Sequence, residues 1–265
     1  MTVSSHAFAL VSALVFGALS WPAVAQEDLA KESQNPLGDL ISFTSENKTS
    51  FSVGPEDAVV NKNDLKLVYP VHLGEWILVN RPIFPVIYQG ERVEGEGTKL
   101  GWGDLNYQGF FTPAAPGKIL WGVGPSLFIP THSDDRLGSD KWSGGPAAVV
   151  LAKPGPWLFG SLVQNIWSFA GDSDAPDINL FSLQYFINYN LGDGWYLTST
   201  PTITADWEAD GDDRWTVPFG GGVGRLIRIG EQPIDLRGQG QWNAVAPDGA
   251  ASWTLQLQVK LLFPK

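Results

Sequence analysis

The chain has 265 residues, 28 of them acidic and 17 basic, a formal net charge of -11 and no cysteine. Without thiols there is neither a disulfide framework nor a thiolate metal site, and so acidic a chain lacks the basic surface that a nucleic-acid partner requires. Hydrophobic residues make up 43% and charged residues only 17%, below the ~25% of soluble domains.

In chain order, Ala7 to Trp21 is an apolar run followed by Ala23-Val24-Ala25 and the polar Gln26-Glu27-Asp28. Small residues at 23 and 25 predict an export leader over 1–25 with a mature start at Gln26. The run is too short for a transmembrane helix. Residues 26–39 are polar and read as a leader segment or a short plug, and 40–265 as one domain.

From Leu40 onward the punctuation is regular. Tight turns are signalled at Leu73-Gly74-Glu75, Ala115-Pro116-Gly117, Pro154-Gly155-Pro156, Gly192-Asp193-Gly194 and Gly230-Glu231-Gln232. Between them lie longer, acidic, Gly-rich loops at 54–63, 90–100, 133–141, 171–177, 208–213 and 244–250. Strict alternation of short and long connections predicts consecutive antiparallel hairpins with all short turns at one end. Twelve strands result: 41–52, 64–72, 76–89, 101–114, 118–131, 142–153, 157–170, 178–191, 195–207, 214–228, 234–243 and 251–263. Soluble strands average ~5–6 residues, whereas a tilted strand crossing a bilayer needs ~9–11.

Within several segments apolar and polar residues alternate with period two, which places them on opposite faces of a sheet. In the last strand Trp253, Leu255, Leu257, Val259, Leu261 and Phe263 oppose Thr254, Gln256, Gln258 and Lys260. The eighth is as regular except at Phe186. Segments 76–89, 142–153, 157–170 and 214–228 alternate less cleanly, and Gly220-Gly221-Gly222 with Arg225 and Arg228 signals a kink or bulge. Trp76, Trp157 and Trp195 follow short turns, while Tyr88, Trp142, Trp167, Trp207, Trp215, Trp242 and Trp253 lie toward the long-loop end. Two aromatic bands flanking aliphatic positions match the two interfaces of a membrane. The expectation is an all-β, transmembrane, antiparallel up-and-down β-barrel with short periplasmic turns. Closure removes the two sheet edges that hydrocarbon would leave without hydrogen-bond partners. A repeat near 40 residues also admits a propeller, but blades need four short strands each.

The element Gly101-Trp102-Gly103-Asp104-Leu105, with Trp121-Gly122-Val123-Gly124-Pro125, Trp142-Ser143-Gly144-Gly145-Pro146 and Gly220-Gly221-Gly222-Val223-Gly224, resembles the outer-membrane barrel family named after the phenol meta-degradation pathway. Its members are often labelled simply as transporters, some misleadingly as neuromedin U. The resemblance spans most of Leu40 to Pro264. It implies an outer-membrane location and uptake of small hydrophobic or aromatic solutes, and it brings no catalytic or binding residues.

The candidate site is the lumen. By parity Lys66, Asp104, Asn106, Gln108, Gln184, Asn188, Thr200, Thr202, Asp235, Arg237, Gln239, Gln241 and Gln256 point inward. Amides with a few charges suit uncharged or weakly polar solutes in a narrow wet channel; alternatively, these side chains bond one another and fill the barrel. The clustered loop carboxylates admit divalent cations but read first as solvated charge. Asp206 to Gly211 starts like an EF-hand loop and fails it, with Glu208 third and Val217 twelfth. His132-Ser133-Asp134 suggests a barrel hydrolase, yet adjacent loop side chains do not make a triad. The functional expectation is a passive channel, not an enzyme, without cofactor. Its expected partners are outer-membrane lipid and lipopolysaccharide, the barrel assembly machinery and a small solute. The competing reading is a structural barrel whose acidic loops contact the envelope.

Overall fold

The computed structural model describes residues 23–264. The expected leader therefore lies outside the described residues, apart from its last three, which open the helix α1 (Ala23–Ser33). Fourteen strands follow: β1 (Ile41–Val53), β2 (Ala58–Leu73), β3 (Trp76–Gln89), β4 (Lys99–Trp102), β5 (Leu105–Pro113), β6 (Ile119–Ile129), β7 (Lys141–Ala152), β8 (Trp157–Gly171), β9 (Asn179–Gly192), β10 (Trp195–Ser199), β11 (Thr202–Asp206), β12 (Trp215–Ile229), β13 (Gln232–Val245) and β14 (Trp253–Phe263). β4 with β5 and β10 with β11 are halves of interrupted crossings, so the wall has twelve crossings. Every neighbouring pair is antiparallel. The last strand returns to the first, from Ile41 opposite Phe263 to Phe51 opposite Trp253. The barrel is closed.

Parity sorts the faces as expected. On β14, Trp253, Leu255, Leu257, Val259 and Phe263 are exposed on the outside, while Gln256 and Gln258 are buried inside. The aromatic bands are locked edge to face: Trp76 with Trp121 and Trp157 with Tyr189 at the short-turn end, Trp207 with Trp215 at the other. Such pairs contribute ~0.5–1.5 kcal/mol beyond burial.

Three expectations need correction. The first hairpin has no long loop over 54–63, because β2 starts at Ala58 and only 54–57 turn. Its polar residues remain in strand because they satisfy one another: Asn47 and Asn61 exchange amide bonds of 2.9 and 3.0 Å, and Ser45 bonds Asn63 at 3.0 Å. The crossing expected over 101–114 breaks at Gly103-Asp104. A Cβ on Gly103 would lie 2.7 Å from Ile87 Cδ1 and 3.0 Å from the Leu137 carbonyl, so only glycine lets the outer loop approach. The crossing expected over 195–207 breaks at Thr200-Pro201. Pro201 and, across the gap on β12, Pro218 donate nothing to the ladder, and Ser199 Oγ donates instead to the Gly220 carbonyl at 2.6 Å.

The polar 26–39 segment is inside the barrel. α1 is built from good helix formers with a Lys31–Glu27 pair at 2.8 Å. It ends where the Asn35 side chain accepts a bond from Leu37 N at 2.9 Å, an Asx turn. That turn drives Leu37 into an apolar lumen patch made by Ile77 and Val79 of β3, Phe110 of β5, Val149 and Leu151 of β7 and Leu158 of β8. Ala30 and Leu40 pack on Leu226 and Leu262 on the other side. Ser33 O accepts from Lys260 Nζ at 2.7 Å, and Gln34 donates to Asn190 at 2.9 Å. The segment lies against the inner wall, clipped to several strands.

Candidate functional site

Above the plug the lumen holds a cavity of about 110 Å³. Its floor is 32–40; its wall takes residues from β1, β2, β3, β8, β9, β10, β13 and β14, with Thr200 between β10 and β11. Of the residues assigned inward by parity, Lys66, Gln184, Asn188, Thr200, Asp235 and Arg237 line it. Thr202 lies directly across the ladder from Gln184 and shares its face. The others, Asp104 apart, stand elsewhere in the lumen. Gln239 bonds Gln256 at 2.7 Å and Thr200 at 2.8 Å, and Gln241 reaches Gln256 at 3.2 Å. Asn106 bonds Ser126 at 3.2 Å, and Gln108 bonds Gln164 of β8 at 3.0 Å, three crossings away. Amide pairs close part of the lumen, and the cavity remains open beside them.

Asp104 belongs to neither. It has the inward parity, but its carboxylate is spent on the loop between β6 and β7. Oδ1 accepts from the backbone of Thr131 and His132 at 3.1 and 3.2 Å, and Oδ2 from Ser139 N at 2.7 Å. His132 Nδ1 donates to the same carboxylate at 2.7 Å. Arg136 donates to the Glu96 carbonyl at 2.8 Å and Lys99 pairs with Asp134, tying this loop to its neighbour over the mouth. Desolvation opposes protonation of His132, but the bond and charge of Asp104, with Asp140 and Asp135, outweigh it and raise the pKa above the ordinary imidazole value. His132, Asp135 and Asp140 bring ligand-type atoms within 4.8 Å of one another. The bond to Asp104 and a 3.3 Å approach to Asp140 account for the imidazole's position as a loop clasp. The Ser133 hydroxyl beside it accepts from Trp102 N at 3.0 Å.

The charged side of the cavity was only half visible from parity. Glu46, buried on β1, holds Lys66 at 2.7 Å, Lys48 at 3.0 Å and Arg237 at 3.0 Å. Asp235 accepts from the Tyr196 hydroxyl at 2.7 Å. Tyr196 reaches it by lying over Gly224, where any Cβ would meet its ring. That is one role of the glycine run on β12. Glu46, Arg81 and Tyr196 were not among the residues assigned inward, and Lys260 was placed on the polar face of the last strand but left out of the lumen set; the inward parity of Glu46 and Lys260 was the available signal.

Solved structures share this architecture. An outer membrane channel from Pseudomonas putida F1 superposes with a TM-score of 0.65 at 17% identity, over 84% of this chain and 94% of that one. The NanC porin superposes with a TM-score of 0.52 at 10% identity, over 85% of this chain and all of that one. The chain has the fold of outer-membrane channels. Neither a protein-family model nor a curated protein sequence matches it.

Proposed function

We propose that this protein is an outer-membrane channel for passive passage of small solutes, entered from the long-loop side and closed at the other by residues 26–40 until they shift. The carrying observation is the polar cavity enclosed by a closed wall and floored by an N-terminal segment that joins the wall only through side-chain contacts, not through a strand ladder. The outer face is apolar between aromatic bands and takes lipid and lipopolysaccharide as its solvent. The Gly101–Leu105 element, like that of the phenol-pathway barrels, supports an aromatic or hydrophobic solute. So does the apolar wall at Leu162 and Phe186. Passive passage requires no reacting group, and the proposal assigns none.

Proteoliposome swelling tests the reading. Vesicles loaded with the full chain should swell in isotonic small solutes, faster for phenol-sized molecules than for disaccharides. Vesicles that stay impermeable at every protein load would leave a surface barrel, whose acidic loops at Asp134 and Asp212 contact the envelope.

A further inference from the structure

The cavity is chemically two-sided. Lys66, Arg81, Arg237 and Lys260 line it, against the carboxylates of Glu46, Asp235 and Glu32. Glu32 is taken by Lys153 at 3.0 Å, and Glu46 serves Lys66, Lys48 and Arg237 together. Among the described residues Lys260 donates to a carbonyl, that of Ser33, and it stands across the ladder from Asp235. Arg81 has no carboxylate within ion-pair distance among the described residues. Its Nη1 is buried without a hydrogen-bond partner, and its guanidinium lies 5.8 Å from the Phe110 ring centroid. A buried guanidinium without an anion is costly. In a chain of net charge -11 it is also against the trend of the composition.

Facing this cationic side across the barrel are Leu162 of β8 and Phe186 of β9. β8 stands six crossings from β1, the diametrically opposite place in a twelve-crossing wall. The open space of about 110 Å³ is below the roughly 150 Å³ of an apolar cavity that holds benzene, which limits an occupant to one small apolar body.

We infer that the cavity is a binding site for a small apolar monocarboxylate, its carboxylate held bidentately by Arg81 with Lys260 nearby and its apolar body against Leu162 and Phe186. Planar forked recognition is what arginine supplies and lysine does not. This names the solute class of the proposed channel and rests on that reading, but binding is measurable without flux.

The test is calorimetric titration of the full chain in detergent micelles with benzoate, benzyl alcohol and benzylamine, probes of similar size differing in charge. Benzoate should saturate one site at least tenfold more tightly than benzyl alcohol, and benzylamine should not bind. Arg81→Gln should lower benzoate affinity tenfold or more, while Lys99→Gln in the outer loop leaves it unchanged. Benzoate binding no tighter than benzyl alcohol, or unaffected by a folded Arg81→Gln, overturns the inference. If Arg81→Gln does not fold, the three probes on the unaltered protein decide. A sealed bilayer with benzoate binding intact removes the channel reading alone; a conducting channel indifferent to benzoate removes this one alone.

Discussion

Glu46 organises the inner charges, since one carboxylate with 4% side-chain exposure carries three cations. Breaking a buried ion pair by removing one partner costs ~3–5 kcal/mol, because the remaining charge is stranded. Glu46→Ala leaves Lys48 and Lys66 with Asp64 alone, at 3.7 and 4.0 Å, and takes from Arg237 its carboxylate partner. It should lower the temperature at which the barrel loses its fast unboiled mobility on gels, and an unchanged transition would show that water already screens them. His132 gives a pH dependence. Its folded pKa is raised, so the clasp to Asp104 is fully stabilised below the ordinary imidazole value near 6.5. It weakens as pH rises through the raised value. Amide exchange over 130–140 should therefore speed up between pH 6 and pH 9 by more than the intrinsic exchange rate does, an excess that His132→Gln abolishes.

The elements were legible wherever one face meets oil and the other water. β9, β13 and β14 could be placed from alternation, and β3 was bounded at Trp76 and Gln89 by its turn and its loop. The strands that alternate poorly do so for a structural reason. Ile77 and Val79 of β3, Val149 and Leu151 of β7, and Leu158 and Leu162 of β8 are apolar toward the lumen because Leu37 packs there. Phe186, the exception in β9, belongs to the same patch. Loss of alternation in these strands was thus the sequence signal for an apolar seat in the lumen, and polarity alone left 26–39 open between a leader and a short plug, without marking Leu37 as the residue that packs there. Asn61 and Asn63 misled because amides usually mark loops, and here their partners on β1 keep them in the ladder. Asp104 misled because its partners lie 27 to 35 residues away on another loop. Burying a leucine is worth ~1.5–3 kcal/mol. Leu37→Asp should then detach the plug without unfolding the wall, seen as faster protease cleavage near residues 34–38 with gel mobility retained. Cleavage as slow as in the parent would show that the polar clips hold the plug by themselves.

At the scale of the molecule, the outer loops and the lumen differ in charge. Carboxylates crowd the outer loops, Asp210, Asp212, Asp213 and Asp248 among them at one cleft, while the lumen cavity mixes four cations with three carboxylates. Closure of β1 on β14 satisfies the sheet edges, the aromatic bands suit the two membrane interfaces, and on the proposed reading the N-terminal segment decides whether the interior is continuous with water at both ends. Single-channel recording in planar bilayers, comparing the full chain with one lacking residues 26–39, tests this directly. With heat-modifiable gel mobility as the check on folding, the account predicts small or brief openings for the full chain and a larger, sustained conductance for the shortened one. Equal conductances from two folded barrels would contradict it.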